Sequence, residues 1–291
     1  MIFLFLSILA NAAIYPIFKL FEKNEIQLFP AIVFNYITAF SLGLLVVPNI
    51  QQGYSSASQW PIWAIGGISL GAIFISIFYM MGLSSQRVGV GITTIASKMS
   101  LALAVLLFAW FDPSQMPSPL KILAIILAMI GVVLTSLQQE SGHFNFKHLV
   151  YPILILLGST VIDFGVAYFQ DFTTNENELS LYSCLSFGAA GTIGCTLLLY
   201  KVMTHQIKLH TRDMLAGIGL GIVNYGSIYF LVKAYNAKLF ASSTTLPINN
   251  LAVVVVGAIV AYFVFKERFS KQNIMGLLCC LCALIFLVIG S

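Results

Sequence analysis

Apolar runs long enough to cross a membrane follow one another along the whole chain, separated by short polar stretches. A helix rises about 1.5 Å per residue, so a bilayer core of about 30 Å takes roughly 20 residues. The runs predict ten helical spans, near 2–21, 29–48, 61–83, 89–110, 119–138, 150–171, 179–201, 213–235, 240–265 and 272–290. None shows the short period-two alternation of a transmembrane barrel. Breakers fall at the edges of the runs. Pro30 and Pro61 suit first turns, where the backbone N–H has no helical partner to lose. Pro48 closes the second span, and Pro113, Pro117 and Pro119 fill the loop after the fourth. The connections are short and carry no inserted soluble domain. The expected fold is an all-α polytopic membrane protein with ten transmembrane helices.

Composition agrees. Of the residues, 59% are hydrophobic and 8% charged, against about 25% charged in an ordinary soluble domain. The net charge of +4 is scattered over loops, which argues against a nucleic-acid partner. The stretch Met1–Lys19 lacks a basic n-region and reads as the first span, not as a cleaved signal. Cys184, Cys195, Cys279, Cys280 and Cys282 all lie in apolar segments, so they read as small core residues without a disulfide framework. His143, His148, His205 and His210 fall in two loops at a spacing that matches no standard zinc signature. No metal or cofactor is expected.

Lys and Arg are unevenly divided between the loops. Ten of the fourteen sit after odd-numbered spans, and three (Lys121, Lys233, Lys238) lie on the other side. The positive-inside rule then places the ten-charge side in the cytoplasm and both termini outside.

The remaining cation, Lys98, stands within the fourth span in Thr93-Thr94-Ile95-Ala96-Ser97-Lys98-Met99-Ser100. It lies about 12 Å or more from either end, where a fixed charge costs at least about 2.5–3.5 kcal/mol. Snorkelling covers only part of that distance. Lys98 therefore reads either as a cation facing a polar interior, ready for a substrate carboxylate or phosphate, or as half of a permanent pair. Asp163 is the only carboxylate deep in a span and is the natural partner. It is also the candidate proton-coupling group, since a bridge broken by substrate or proton in one state would couple the two. Asn11, Asn35, Asn224, Asn249 and Asn250 also lie within spans, and each amide offers two donors and an acceptor. Singly they suit interhelical links; as a set they suit a shared cavity. Pro247 precedes Asn249 and bends its helix. Tyr79 and Tyr229 are candidates for the same wall, with packing as the plainer reading. The substrate-binding set is thus Lys98, Asn11, Asn35, Asn224, Asn249, Tyr79 and Tyr229.

The two halves of the chain resemble each other. Gly67-Ile68-Ser69-Leu70-Gly71 matches Gly217-Ile218-Gly219-Leu220-Gly221, and Tyr79 matches Tyr229 at the same offset of 150. Thr93-Thr94-Ile95-Ala96 matches Thr244-Thr245-Leu246-Pro247, and Asn11 falls opposite Asp163. The organisation read from this is a first five-helix repeat at 1–138, a linker loop at 139–149 and a second repeat at 150–291. Five is odd, so the second copy inserts inverted, a common plan among secondary transporters.

Over essentially its whole length the chain resembles the drug/metabolite transporter superfamily, of the ten-helix EamA type. The most specific pieces are Ala241-Ser242-Ser243-Thr244-Thr245-Leu246-Pro247, then Lys266-Glu267-Arg268-Phe269-Ser270 and a last helix opening Ile274-Met275-Gly276. In the first half the pattern departs: Lys98 follows closely where a proline is expected, and Asp112-Pro113 replaces the Glu-Arg pair. The resemblance implies two inverted five-helix repeats, a central cavity, alternating access for small metabolites and, against the loop charges, cytoplasmic termini. The expected function is secondary active transport, export or exchange, of a small polar or amphipathic metabolite across a bacterial inner membrane, with a small-molecule substrate and the lipid bilayer as partners. A membrane enzyme acting on a lipid-linked substrate is the alternative. Against it, no His-Glu-x-x-His or Gly-x-Ser-x-Gly occurs and no span holds a histidine. A channel would need charge rings or a filter loop.

Overall fold

The computed structural model describes residues 1–46, 61–111, 117–136, 139–140, 143–144, 149–173, 176–237 and 242–290. Pro48, Asp112, Pro113, Lys147, His148, Lys238 and Ala241 lie outside them, as do the side chains of His143, Glu176 and Thr244. The helices are α1 (Ile2–Lys23), α2 (Leu28–Val46), α3 (Ile62–Arg87), α4 (Val90–Lys98), α5 (Ser100–Phe111), α6 (Pro119–Ser136), α7 (Val150–Gln170), α8 (Glu176–Met203), α9 (Thr211–Asn236), α10 (Ser242–Phe263) and α11 (Lys271–Ile289). A two-residue antiparallel pair, Gln139–Glu140 with His143–Phe144, lies between α6 and α7.

Counting α4 and α5 as one span, nine helices among the described residues are long and apolar enough to cross a membrane, and Pro119–Thr135 is a shorter apolar tenth. Their outward faces are oily: Ile65, Leu157, Leu199, Leu215, Ile222 and Leu278 are exposed, while Asn35, Thr93, Thr94, Ser100 and Asn249 are buried. That distribution inverts a soluble protein's and suits lipid as solvent. The chain is an integral, multi-pass membrane protein.

Two compact units divide it. One contains Met1–Leu20, Met80–Phe164 and Gly226–Ser291; the other contains Phe21–Tyr79 and Gly165–Tyr225. Each draws on both halves of the chain, and the boundaries fall inside α1, α3, α7 and α9.

In the first unit α6 runs along α11, and α4 packs on α10. Its core joins Ile95 and Met99 to Ala124, Ala128 and Val132 of α6, Val254 of α10, and Cys280, Ala283 and Leu284 of α11. The α6–α11 seam is close at Gly131 and Gly276. A Cβ on Gly276 would stand 2.6 Å from Thr135 N and 2.8 Å from Gly131 O.

In the second unit α2 packs on α8, and a core of Trp63, Leu70, Leu181 and Tyr182 joins α3 to α8. The two glycine pairs of the sequence repeat serve as close-approach faces here. Gly67 and Gly71 stand against α8 at Tyr182 and Ala190, and Gly217 and Gly221 against α2 at Ala31 and Asn35. The entry to α2 is held from a distance. Gln27 donates its backbone N–H to Asp213 Oδ1 at 2.9 Å and its amide to Asp213 Oδ2 at 3.1 Å. Asp213 is fully buried. Truncating it would leave the Gln27 N–H without its acceptor. Asp213→Ala is expected to cost about 1–2 kcal/mol, seen as a lower unfolding midpoint in detergent.

Candidate functional site

The first unit builds its polar interior around the junction of α4 and α5. The fourth span is not one uninterrupted helix: α4 ends at Lys98, and Met99 stands between it and α5. Met99 keeps right-handed angles (φ −75°, ψ −12°), and its N–H bonds Ile95 O. Ala102 then donates to Met99 O at 3.1 Å, a tight i−3 turn of the kind that marks strain or a hinge inside helices. A hydroxyl stands at the break. Ser100 Oγ lies 2.5 Å from both Ser97 O and Asp163 Oδ2; its single proton serves one of them, and a local hydroxyl–carbonyl bond competes with the helical ladder. Thr160, one turn before Asp163 on α7, donates to Leu156 O at 2.7 Å and lies 3.4 Å from Ser100 O. Lys98 and Asp163 are both partly buried. The two ionisable groups singled out from the sequence both lie at the interruption, Lys98 as the last residue of α4 and Asp163 as a neighbour of Ser100 Oγ.

A second polar cluster in this unit holds Asn249. Ser7 Oγ lies 2.9 Å from Ser227 O and 3.2 Å from Asn249 Oδ1. Asn249 is fully buried, and its amide nitrogen has no hydrogen-bond partner among the described residues. One serine proton cannot serve two acceptors. If the amide is turned over, Asn249 donates to Ser7 and Ser7 to Ser227, and the carbonyl oxygen is then the unmatched atom. Asn250 is buried beside it. Asn11 and Tyr229 are partly buried in the same unit, with the Lys233 ammonium 5.7 Å from the Tyr229 ring.

The other three candidates belong to the second unit. Asn35 is fully buried on α2, and neither amide atom has a partner among the described residues. Asn224 is buried on α9. Tyr79 meets Phe29 edge-on at 5.9 Å between ring centres.

Glu267 was legible only as part of a motif. Its carboxylate takes the N–H of Val90 at 2.6 Å and of Gly91 at 3.1 Å, capping α4 from 177 and 176 residues away. Burial pushes the Glu267 carboxyl above the usual carboxylate range, while the two N–H groups and Lys19 pull the other way. Ser100, Thr160 and Ser7 also went unread. The spacing of three in Ser97/Ser100 and in Thr160/Asp163 puts each pair on one helix face, and that was the available signal.

No family profile matches the chain. An uncharacterized protein of Haemophilus influenzae is 28% identical over 291 residues, covering 97% of this chain and 95% of that protein. A protein of known crystal structure shares the fold with a TM-score of 0.57 and 16% identity, over 98% of this chain and 94% of the other. Identity that low carries architecture and nothing about activity.

Proposed function

We propose that this protein is a secondary active transporter, an exporter or exchanger of a small polar or amphipathic metabolite, built from two inverted five-span repeats. The observation that carries the reading is the interruption of the fourth span beside Lys98, with Ser100 and Asp163 gathered on it. Discontinuous membrane helices with polar groups at the break are a recurring way to build a transport site near the midplane, and buried ionisable groups are its usual currency.

The packing supports the repeat. The second span packs on the seventh (α2 on α8), the fourth on the ninth (α4 on α10) and the fifth on the tenth (α6 on α11). The glycine face of the third span meets the seventh, and that of the eighth meets the second. The divided spans are the first, third, sixth and eighth, two related pairs. A two-fold relation between the halves produces this set of pairings. The EamA-type resemblance points the same way. Transport is favoured over catalysis because Lys98 and Asp163 are the only charged side chains deep in the spans among the described residues.

The test is a screen of radiolabelled metabolites in vesicles holding purified protein. Saturable movement of one chemically unaltered solute is the expected result; chemical conversion without movement overturns it. In the same vesicles Asp163→Asn is expected to flatten the pH profile of transport. An unchanged profile would assign coupling to solute exchange.

A further inference from the structure

The turn between α10 and α11 grips the first unit at several points. Glu267 caps α4 through Val90 and Gly91. Phe269 fills the space a side chain on Gly91 would need, since a Cβ there would come within 2.9 Å of its ring. Ser270 and Asn273 form the capping box that opens α11. Asn273 also donates to Thr135 O at 2.7 Å and Leu134 O at 3.3 Å. One short turn thus brings a carboxylate to a helix N-terminus and an amide donor to the carbonyl end of α6, each the match that end requires.

The fit around Glu267 is close. Gly89, just before α4, has φ +132°, and a Cβ there would stand 3.0 Å from Glu267 Oε2. Side chains avoid that backbone region, so conformation and space both ask for glycine. Nearby, Lys19 reaches Gln86 O at 2.5 Å, and Gln86 returns a bond to Phe18 O at 3.1 Å.

The helix held this way has nine residues, a rod of about 12 Å from first to last. Glycine bounds it at one end and the Met99 turn at the other. Glu267 takes its first N–H, and Lys98 is its last residue. We propose that Glu267 is a positioning residue for Lys98: its carboxylate pins the outer end of α4 and so sets where the ammonium stands relative to Asp163. The inference rests on the transport reading for its meaning, though its test does not. Gln at this position keeps the size but offers one acceptor in place of two, while Asp keeps the charge on a shorter arm.

The test uses full-length protein in detergent: wild type, Glu267→Gln and Glu267→Asp. Hydrogen exchange and acylation by an amine-reactive reagent are both followed by mass spectrometry. In Glu267→Gln, exchange in peptides covering Val90–Lys98 should rise about tenfold, as expected for losing a charge-assisted bond to a buried N–H. The acylation of Lys98 relative to Lys201 should change with it, and Glu267→Asp should fall between. A cap that only supported the fold would lower the unfolding midpoint and leave that lysine ratio alone. Unchanged exchange over Val90–Lys98 with an unchanged ratio overturns the proposal. If Glu267→Gln does not accumulate, Glu267→Asp carries the same two readouts with the same expected directions. Both labels are read without cargo. A wild-type protein that moves nothing would defeat the transport reading alone, and an active transporter with unaltered labels would defeat this inference alone.

Discussion

Lys98→Met should fold, insert and lose transport by about ten- to a hundredfold. The magnitude follows from removing a charged hydrogen-bonding group worth about 1.5–3 kcal/mol to a bound anion. The fold should survive because the substitution removes a charge that is costly in mid-membrane and keeps a flexible side chain of similar length. Asp163 keeps its contact with Ser100 Oγ. Stability and activity are therefore expected to move apart: an unfolding midpoint at or above wild type, with uptake near background. Vesicle transport beside a thermal melt checks both. Wild-type transport by the variant would remove Lys98 from the mechanism.

Gly276→Val should be the most damaging change to the fold. Its Cβ would press on Thr135 N and Gly131 O, which are backbone atoms of a helix and cannot rotate away. The α6–α11 seam would have to open along its length. Overpacking against mobile side chains costs about 1–3 kcal/mol, and a clash with backbone should exceed that. Gly276→Val is expected to fail to accumulate or to melt far below wild type. Gly219→Ala is the internal control: nothing lies within 4 Å of a Cβ at that glycine, and alanine favours helix. If both variants melt like wild type, the seam is not as close as described.

The apolar helices were legible because a bilayer rewards long apolar runs whatever surrounds them. Lys98 and Asp163 stood out for the same reason, as rare charges in oil. The break at Met99 was not legible. No glycine or proline marks it, and the hydroxyl of Ser100 beside it meets a carboxylate 63 residues away. The cap on α4 was hidden likewise, because Glu267 is remote in sequence and reads as one charge in a charged turn. Pro247 pointed to Asn249, yet nothing local pointed to Ser7, which closes that cluster from 242 residues away. The compact units could not be read from the proposed repeat, since that divides the chain in the middle while each unit draws on both halves.

That interleaving has a consequence for how the protein is made. The ribosome threads α2 and α6 into the membrane long before it has made α8 and α11, the helices they pack against. Until then the α6 glycine seam and the α2 face that meets α8 lack their final partners. Either half synthesised alone should remain in that waiting state and be cleared by membrane proteases.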